Sequence, residues 1–277
     1  MEILKSILEW IFFSLLTLSI FSSHTACNKG RAKAEPLPGK TSPKQSYAVP
    51  GARPIPYIIG KTYKFLFTTD KGKAGEGIFR IEKTGGTGLR IYSSVDADDV
   101  DSRIHTSGEG TLVLDEKFNP VSYDRSVTLK YKDNPKQNGT ETVKAVFSNG
   151  AVKLDITGPG KNQKQAVQKN LIDGSFVFDN NYLGQMAYIC AQTTLKSGRT
   201  EHLNVFSVAL RQMIEITMTP KIKVALNFNG QKVIAYEVDM KADGATFGRY
   251  YIAPDGQLLK AEEMGGFMII ELENPEM

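Results

Sequence analysis

Histidine and cysteine are scarce in this chain, three and two among 277 residues. His24 precedes Cys27 and leaves with any cleaved leader, so only His105 and His202 remain. Neither stands in a metal-ligand spacing such as H-E-x-x-H, and Cys190 is alone, so no metal site is read. The nucleophile elbow G-x-S-x-G is missing, because "IDGSF" around Ser175 lacks its second glycine. "KTGGTG" and "TGPGKNQ" are rich in glycine but lack the spacing and the Gly-Lys-Ser/Thr ending of a phosphate loop, and they read as hairpin turns. A concentrated basic face is lacking too. The net charge is +4, and Lys5, Glu2 and Glu9 in residues 1–26 sum to −1, leaving +5 after them. That excludes nucleic acid as the expected partner. With no catalytic constellation and no cofactor motif, the expectation is a protein that is not an enzyme and holds no cofactor.

Long apolar runs are also missing. The longest, "WIFFSLLTLSIF" from Trp10 to Phe21, has 12 residues, too short for a span of about 20 but suited to the centre of a signal peptide. Behind it stand Ser22, Ser23, Thr25 and Ala26, all small, and then Cys27. This resembles the lipobox of bacterial lipoproteins, in which small residues precede an acylated cysteine; Thr25 and Ala26 fit, and His24 at −3 departs from the pattern. A second cut, after "AKA" at Ala32 to Ala34, matches the small-x-small rule of ordinary export. Three fates therefore stand open for Cys27: acylation, an unlipidated secreted form, or pairing with Cys190. The resemblance implies a signal peptide over 1–26 and a lipid anchor at Cys27. It places the chain in a bacterial cell envelope, on the periplasmic side. Asn28 and Lys29 carry no strong retention signal, which leaves the outer membrane as the preferred site.

Residues 28–56 hold six prolines, six Lys or Arg and one acidic residue. Proline favours extended backbone and apolar residues are too sparse for a core, so 27–56 reads as a tether, with a basic arm on anionic headgroups as the alternative. From Tyr57 to Met277 one domain is expected, and its signal is period two. "KTYKFLFTT" puts Tyr63, Phe65 and Phe67 on one face. "KIKVALNF" puts Ile222, Val224, Leu226 and Phe228 on one face, and "VIAYEVDM" continues with Ile234, Tyr236, Val238 and Met240 after a turn at Asn229-Gly230. Similar pieces recur, from "GIFRIE" to "FMIIELE", giving about a dozen strands joined by short turns. The expected fold is mainly β, a long curved antiparallel meander forming a half-barrel or open barrel.

One segment breaks that period. "FDNNYLGQMAYICAQTTL" spaces Tyr182, Leu183, Met186, Ile189, Cys190 and Thr193 by threes and fours, predicting an amphipathic helix near 179–195, capped by Asp179 or Asn180 and covering the sheet. Meander, mid-chain helix and further hairpins ending in "YYIAPDGQLLKAEE" together resemble secreted bacterial half-barrels such as the lipoprotein carrier LolA, envelope families of unknown function included. The resemblance is architectural and brings no binding motif.

Phe176, Phe178, Tyr182, Met186 and Ile189, with Met213 and Met218 further on, form an apolar surplus that either lines a cavity for a lipid or other apolar ligand or fills the core. The partners expected are therefore the membrane, through the anchor, and an apolar ligand or an envelope protein. The acidic run "DADDVDS", Asp96 to Ser102, offers oxygens suited to Ca²⁺. Val100 and Asp101 stand where an EF-hand needs a ligand and a glycine, so the run reads as a solvated turn. "NGT" at Asn138 reads as a hairpin turn.

Overall fold

The computed structural model describes residues 50–273 apart from 52, 87, 100–102, 159–160, 173, 180–181, 229–230 and 264–267, and for 161–168 and 228 the backbone alone. The leader, Cys27, residues 27–49 of the tether and the Asn229-Gly230 turn lie outside the described residues.

Period-two alternation becomes strands almost without interruption. The first eight are β1 (Thr62–Thr69), β2 (Gly72–Lys83), β3 (Leu89–Asp99), β4 (Ile104–Leu114), β5 (Pro120–Tyr131), β6 (Gly139–Ser148), β7 (Ala151–Gly158) and β8 (Lys161–Asn170). After them come the short β9 (Phe176–Phe178) and the helix α1 (Leu183–Gln192). The chain then forms β10 (Glu201–Ser207), β11 (Gln212–Phe228), β12 (Gln231–Ala242), β13 (Ala245–Ile252), β14 (Leu258–Glu263) and β15 (Ile269–Leu272). All fifteen join one sheet in the order β8-β7-β6-β5-β4-β3-β2-β1-β15-β14-β13-β12-β11-β10-β9. Its two chain-terminal strands pair at the centre, Phe65 opposite Leu272. Every neighbour is antiparallel except β9 beside β10. The expected curved meander is borne out, with more strands than the dozen read from the turns.

A sheet this long cannot stay flat, because strand twist accumulates. The edge strands β8 and β9 are joined by residues 171–175, a connection that reaches about 20 Å at most, so the two edges of the sheet lie close together. Contacts across the seam agree: the rings of Phe147 on β6 and Phe206 on β10 stand 6.2 Å apart. The result is an open barrel, curled until its ends face each other without hydrogen-bonding as strands.

The interior follows from the alternation. Tyr63, Phe65 and Phe67 are all buried, as are Phe79 and Ile81 on β2 and Leu89 and Ile91 on β3. Tyr57 packs edge-on against Tyr63 and Phe79, with centroids 5.1 and 5.0 Å away. Its hydroxyl accepts a hydrogen bond from the Leu258 amide at 2.9 Å.

The helix differs from expectation in length. It runs over Leu183–Gln192, shorter than 179–195, and Gly184 to Gln192 are all buried. A helix buried on every side lies inside a fold rather than at its surface, so α1 covers the sheet, as expected, by plugging the open barrel from within. Gly184 is what lets it enter. A Cβ there would sit 2.5 Å from Ser93 Oγ and 2.9 Å from both Ile91 and Phe79. The glycine that weakens helix propensity is the residue that permits contact with the sheet. The Gly184 amide, one of the four a helix start leaves unpaired, donates to Ser93 Oγ at 3.2 Å. Asp179 does not cap the helix, since its carboxylate is taken by Tyr123 and Arg125. Tyr182 holds the N-cap position without a side-chain bond, Asn180 lies outside the described residues, and Gln185 Oε1 reaches back to accept from the Asp179 amide at 2.6 Å.

The packed unit also begins before Tyr57. Arg53 donates its amide to Gln192 Oε1 and accepts from Gln192 Nε2, both at 3.0 Å, and its guanidinium donates to the Thr193 carbonyl. The last residues of the stretch read as tether thus clamp the end of α1.

Candidate functional site

The seven residues read as a possible ligand lining separate into two groups. Phe176 and Phe178 on β9, Tyr182 before α1, Met186 and Ile189 on α1 and Met218 on β11 are buried and belong to one core cluster. Met213 lies on the other face of β11, where Ile214, Ile216 and Met218 alternate inward, and it is half-buried. Neighbours already occupy the first group. Tyr188 stands 6.0 Å from Phe176 ring to ring, and Thr193 Oγ1 donates to Met218 Sδ at 3.2 Å. Two concavities, of about 460 and 560 Å³, open instead at the end of the barrel where β11 ends and β12 begins. Neither is lined by any of the seven.

A polar cluster lies inside the seam. Along β5, "SYDRSVTL" turns Tyr123 and Val127 inward, and Arg125 shares their face. Its side chain keeps 8% exposure, and Asp179, beside the short edge strand β9, keeps none. Arg125 Nη1 donates to both Asp179 oxygens, at 2.9 and 3.2 Å. Tyr123 donates its hydroxyl to Asp179 Oδ2 at 2.9 Å, and Arg125 Nη2 pairs with Glu141 on β6. Glu141 in turn faces Arg211, in the β10–β11 turn, at 3.9 Å. Tyr182 completes the cluster by donating to the Glu109 carbonyl at 3.1 Å, and its ring rests beside Gly110, where a Cβ would approach both it and Tyr123.

Burial opposes charge on Arg125, but Asp179 and Glu141 outweigh it and hold the guanidinium above its ordinary pKa. Burial first, then the Asp179 charge, pushes both Tyr123 and Tyr182 well up, so both phenols stay protonated donors. The cluster ties β5 and β6, from one arm of the sheet, to β9 and the β10–β11 turn, from the other. It is a latch in which the acids and bases neutralise one another. Sequence reading missed Arg125, Tyr123 and Glu141, and took Asp179 for a cap. The signal was a charged residue in phase with the apolar face of a strand.

Elsewhere the chemistry-bearing residues stay apart. Asp98 faces His105 at 3.4 Å and Lys132 at 3.3 Å. Asp96 lies opposite Ser107, and Asp101 falls outside the described residues. Among the described residues no three His, Cys, Asp or Glu side chains converge. His202 lies 3.2 Å from Glu215. Cys190 is a free thiol, buried in α1, and burial pushes its pKa up.

No family model and no curated protein matches the chain. Among solved structures it is similar to a β-barrel-like protein of the domain-of-unknown-function family DUF1849 from Brucella abortus. The two share 11% identity at a TM-score of 0.49, over 77% of this chain and 98% of that one. It is also similar to a DUF1089 family protein from Pseudomonas aeruginosa, at 10% identity and a TM-score of 0.42, over 70% of this chain and 91% of that one. Both neighbours are bacterial domains of unknown function.

Proposed function

We propose that this chain is a non-catalytic domain of the bacterial cell envelope, held at a membrane through acylated Cys27 and working through its surface. The observation that carries the reading is the fit of α1. Gly184 meets Ser93, Ile91 and Phe79 with no space for even a methyl group between them. The aromatic and methionine side chains that could have lined a lipid cavity are packed on one another and on the helix. An interior filled by its own chain has no place for an acyl ligand unless α1 leaves. A latch of mutually neutralised charges supports the same reading, since it stabilises closure of the barrel.

Intact mass of the natively expressed chain, extracted from membranes in mild detergent, tests this. The expected mass is a chain beginning at Cys27 with a diacylglyceryl group and a fatty acid. A chain beginning at Glu35, or at an unmodified Cys27, contradicts the anchor. A further non-covalent lipid, held at one per chain under native conditions, contradicts the filled interior.

A further inference from the structure

The antiparallel order gives the open barrel two rims. One carries the start of β1 and the connections β2–β3, β4–β5, β6–β7, β11–β12 and β13–β14, because each of those turns lies at the same end of successive antiparallel strands. The opposite rim carries the turns β1–β2, β3–β4, β5–β6, β10–β11 and β12–β13.

Exposed apolar side chains are not shared between them. Ile58 and Ile59 precede β1, and Val121 opens β5. Val146 lies opposite Ser122 near the end of β6, and Ile172 follows β8. Ile222 and Ile234 belong to the β11–β12 hairpin, whose outer part projects beyond its neighbours: β10 stops at Met218 and β13 stops at Tyr236. These seven, between 41 and 60% exposed, are all the exposed large hydrophobics among the described residues. Every one of them is on the first rim. Both concavities open there as well.

We infer that this rim is a docking face for an anionic phospholipid bilayer, which the domain meets end-on. The inference deepens the anchored-envelope reading and rests on it. Distribution argues for a plane rather than a groove. The apolar side chains are spread around this end of the barrel, from β1 through β5, β6 and β8 to β11 and β12, a distribution that suits a broad flat surface better than a single peptide or helix. Charge argues for an anionic surface. Lys61, Lys117, Lys196, Arg199, Lys223 and Lys232 are exposed on the connections of this rim, against Glu116, Asp255 and Glu273. Small exposed apolar groups among lysines suit headgroups with shallow insertion. The chain enters at the same rim, since Pro50 lies beside Gly174 and Gly51 against Phe118. The 23 residues from Cys27 to Val49 hold Lys29, Arg31, Lys33, Lys40 and Lys44 against Glu35, so the tail that leads to the anchor has the same sign.

Vesicle sedimentation tests this with the acyl anchor removed. The chain from residue 27, bearing Cys27→Ser, is spun with phosphatidylcholine vesicles with and without phosphatidylglycerol. Among the described residues all strand pairing lies within 62–272, which this chain retains in full. The expected result is sedimentation with the phosphatidylglycerol vesicles, weakened by salt. Binding should fall at least tenfold in Ile222→Asp/Ile234→Asp, whose side chains are exposed and whose melting temperature stays unchanged. It should be unchanged in Lys71→Glu/Lys136→Glu on the opposite rim. No sedimentation with either vesicle overturns the inference, as does an equal loss from the opposite-rim variant. An envelope protein that cross-links to Ile234→Cys in cells while vesicle binding is absent also overturns it, in favour of a protein partner. An acylated mass without vesicle binding defeats only the docking face; vesicle binding by a chain that is never acylated defeats only the anchor.

Discussion

Met218 and Ile222 stand four residues apart on the same strand, β11, both on the apolar phase of an alternating pattern. Met218 is fully buried and Ile222 is 60% exposed. What separates them is the neighbourhood rather than the residue. At Met218, β11 has β10 on one side and β12 on the other. Past Pro220 β10 no longer pairs with β11 and the register against β12 shifts, so Ile222 falls within that irregularity and is left outside the core, although Val224 and Leu226 beyond it pack part-buried against the core. Alternation says which side chains share a face. Whether a given side chain is covered also depends on where the adjacent strands end and where the register breaks, and the hydrophobic effect acts only where cover is present.

The largest effect expected from breaking this contrast lies at the latch. Asp179→Ala removes the carboxylate that pairs Arg125 and accepts from Tyr123, leaving a nearly buried guanidinium short of a partner. Loss of about 3–5 kcal/mol in urea unfolding is expected. A double variant, Arg125→Met/Asp179→Leu, should recover much of it, because the lone charge is gone.

Next comes the direct comparison within β11. Met218→Ala should cost about 2–5 kcal/mol, through lost burial and the cavity left behind, whereas Ile222→Ala should stay within about 0.5 kcal/mol of the parent. Equal costs, read from parallel denaturation curves, would mean that this irregularity is packed as firmly as the barrel. Gly184→Ala tests the plug. Its methyl group has to displace Ser93, Ile91 or Phe79, and overpacking of about 1–3 kcal/mol is expected, although alanine is the better helix former.

A smaller effect follows from Glu263, half-buried at the end of β14, whose carboxyl burial pushes up from 4.5 to about 7. Below pH 4.5 the group is protonated whether folded or unfolded. As the pH rises towards 7 the unfolded chain releases its proton first, so stability falls across that window and levels off above it. Glu263→Gln should flatten the slope, measured as urea midpoints from pH 4 to 8.

Much of the barrel was legible in the sequence. Tyr63, Phe65 and Phe67 announce β1, repeated turn residues announce the meander, and spacings of three and four announce a helix between its halves. The helix's place inside the barrel was not legible. Gly184 reads as a defect in a surface helix, and becomes intelligible only once β2 and β3 are seen to press on it. The latch escaped for a related reason: Asp179 lies 54 positions from Arg125, and only closure of the barrel brings them together. Arg125 itself was readable as a charge in phase with Tyr123 and Val127. The exposure of Ile222 and Ile234 was hidden, because their pattern is identical to that of buried residues on the same strands.

The central claim is that α1 fills the interior and leaves the surface to act. Titration with a fluorescent fatty acid, such as an anthroyloxy stearate, addresses it directly in detergent-free solution. A filled barrel should give no saturable signal with one site per chain, and the weak fluorescence that remains should fall in Ile222→Asp/Ile234→Asp. Saturable uptake of one probe per chain, abolished by Met186→Trp and untouched by the rim variant, would contradict the account and make the barrel a carrier.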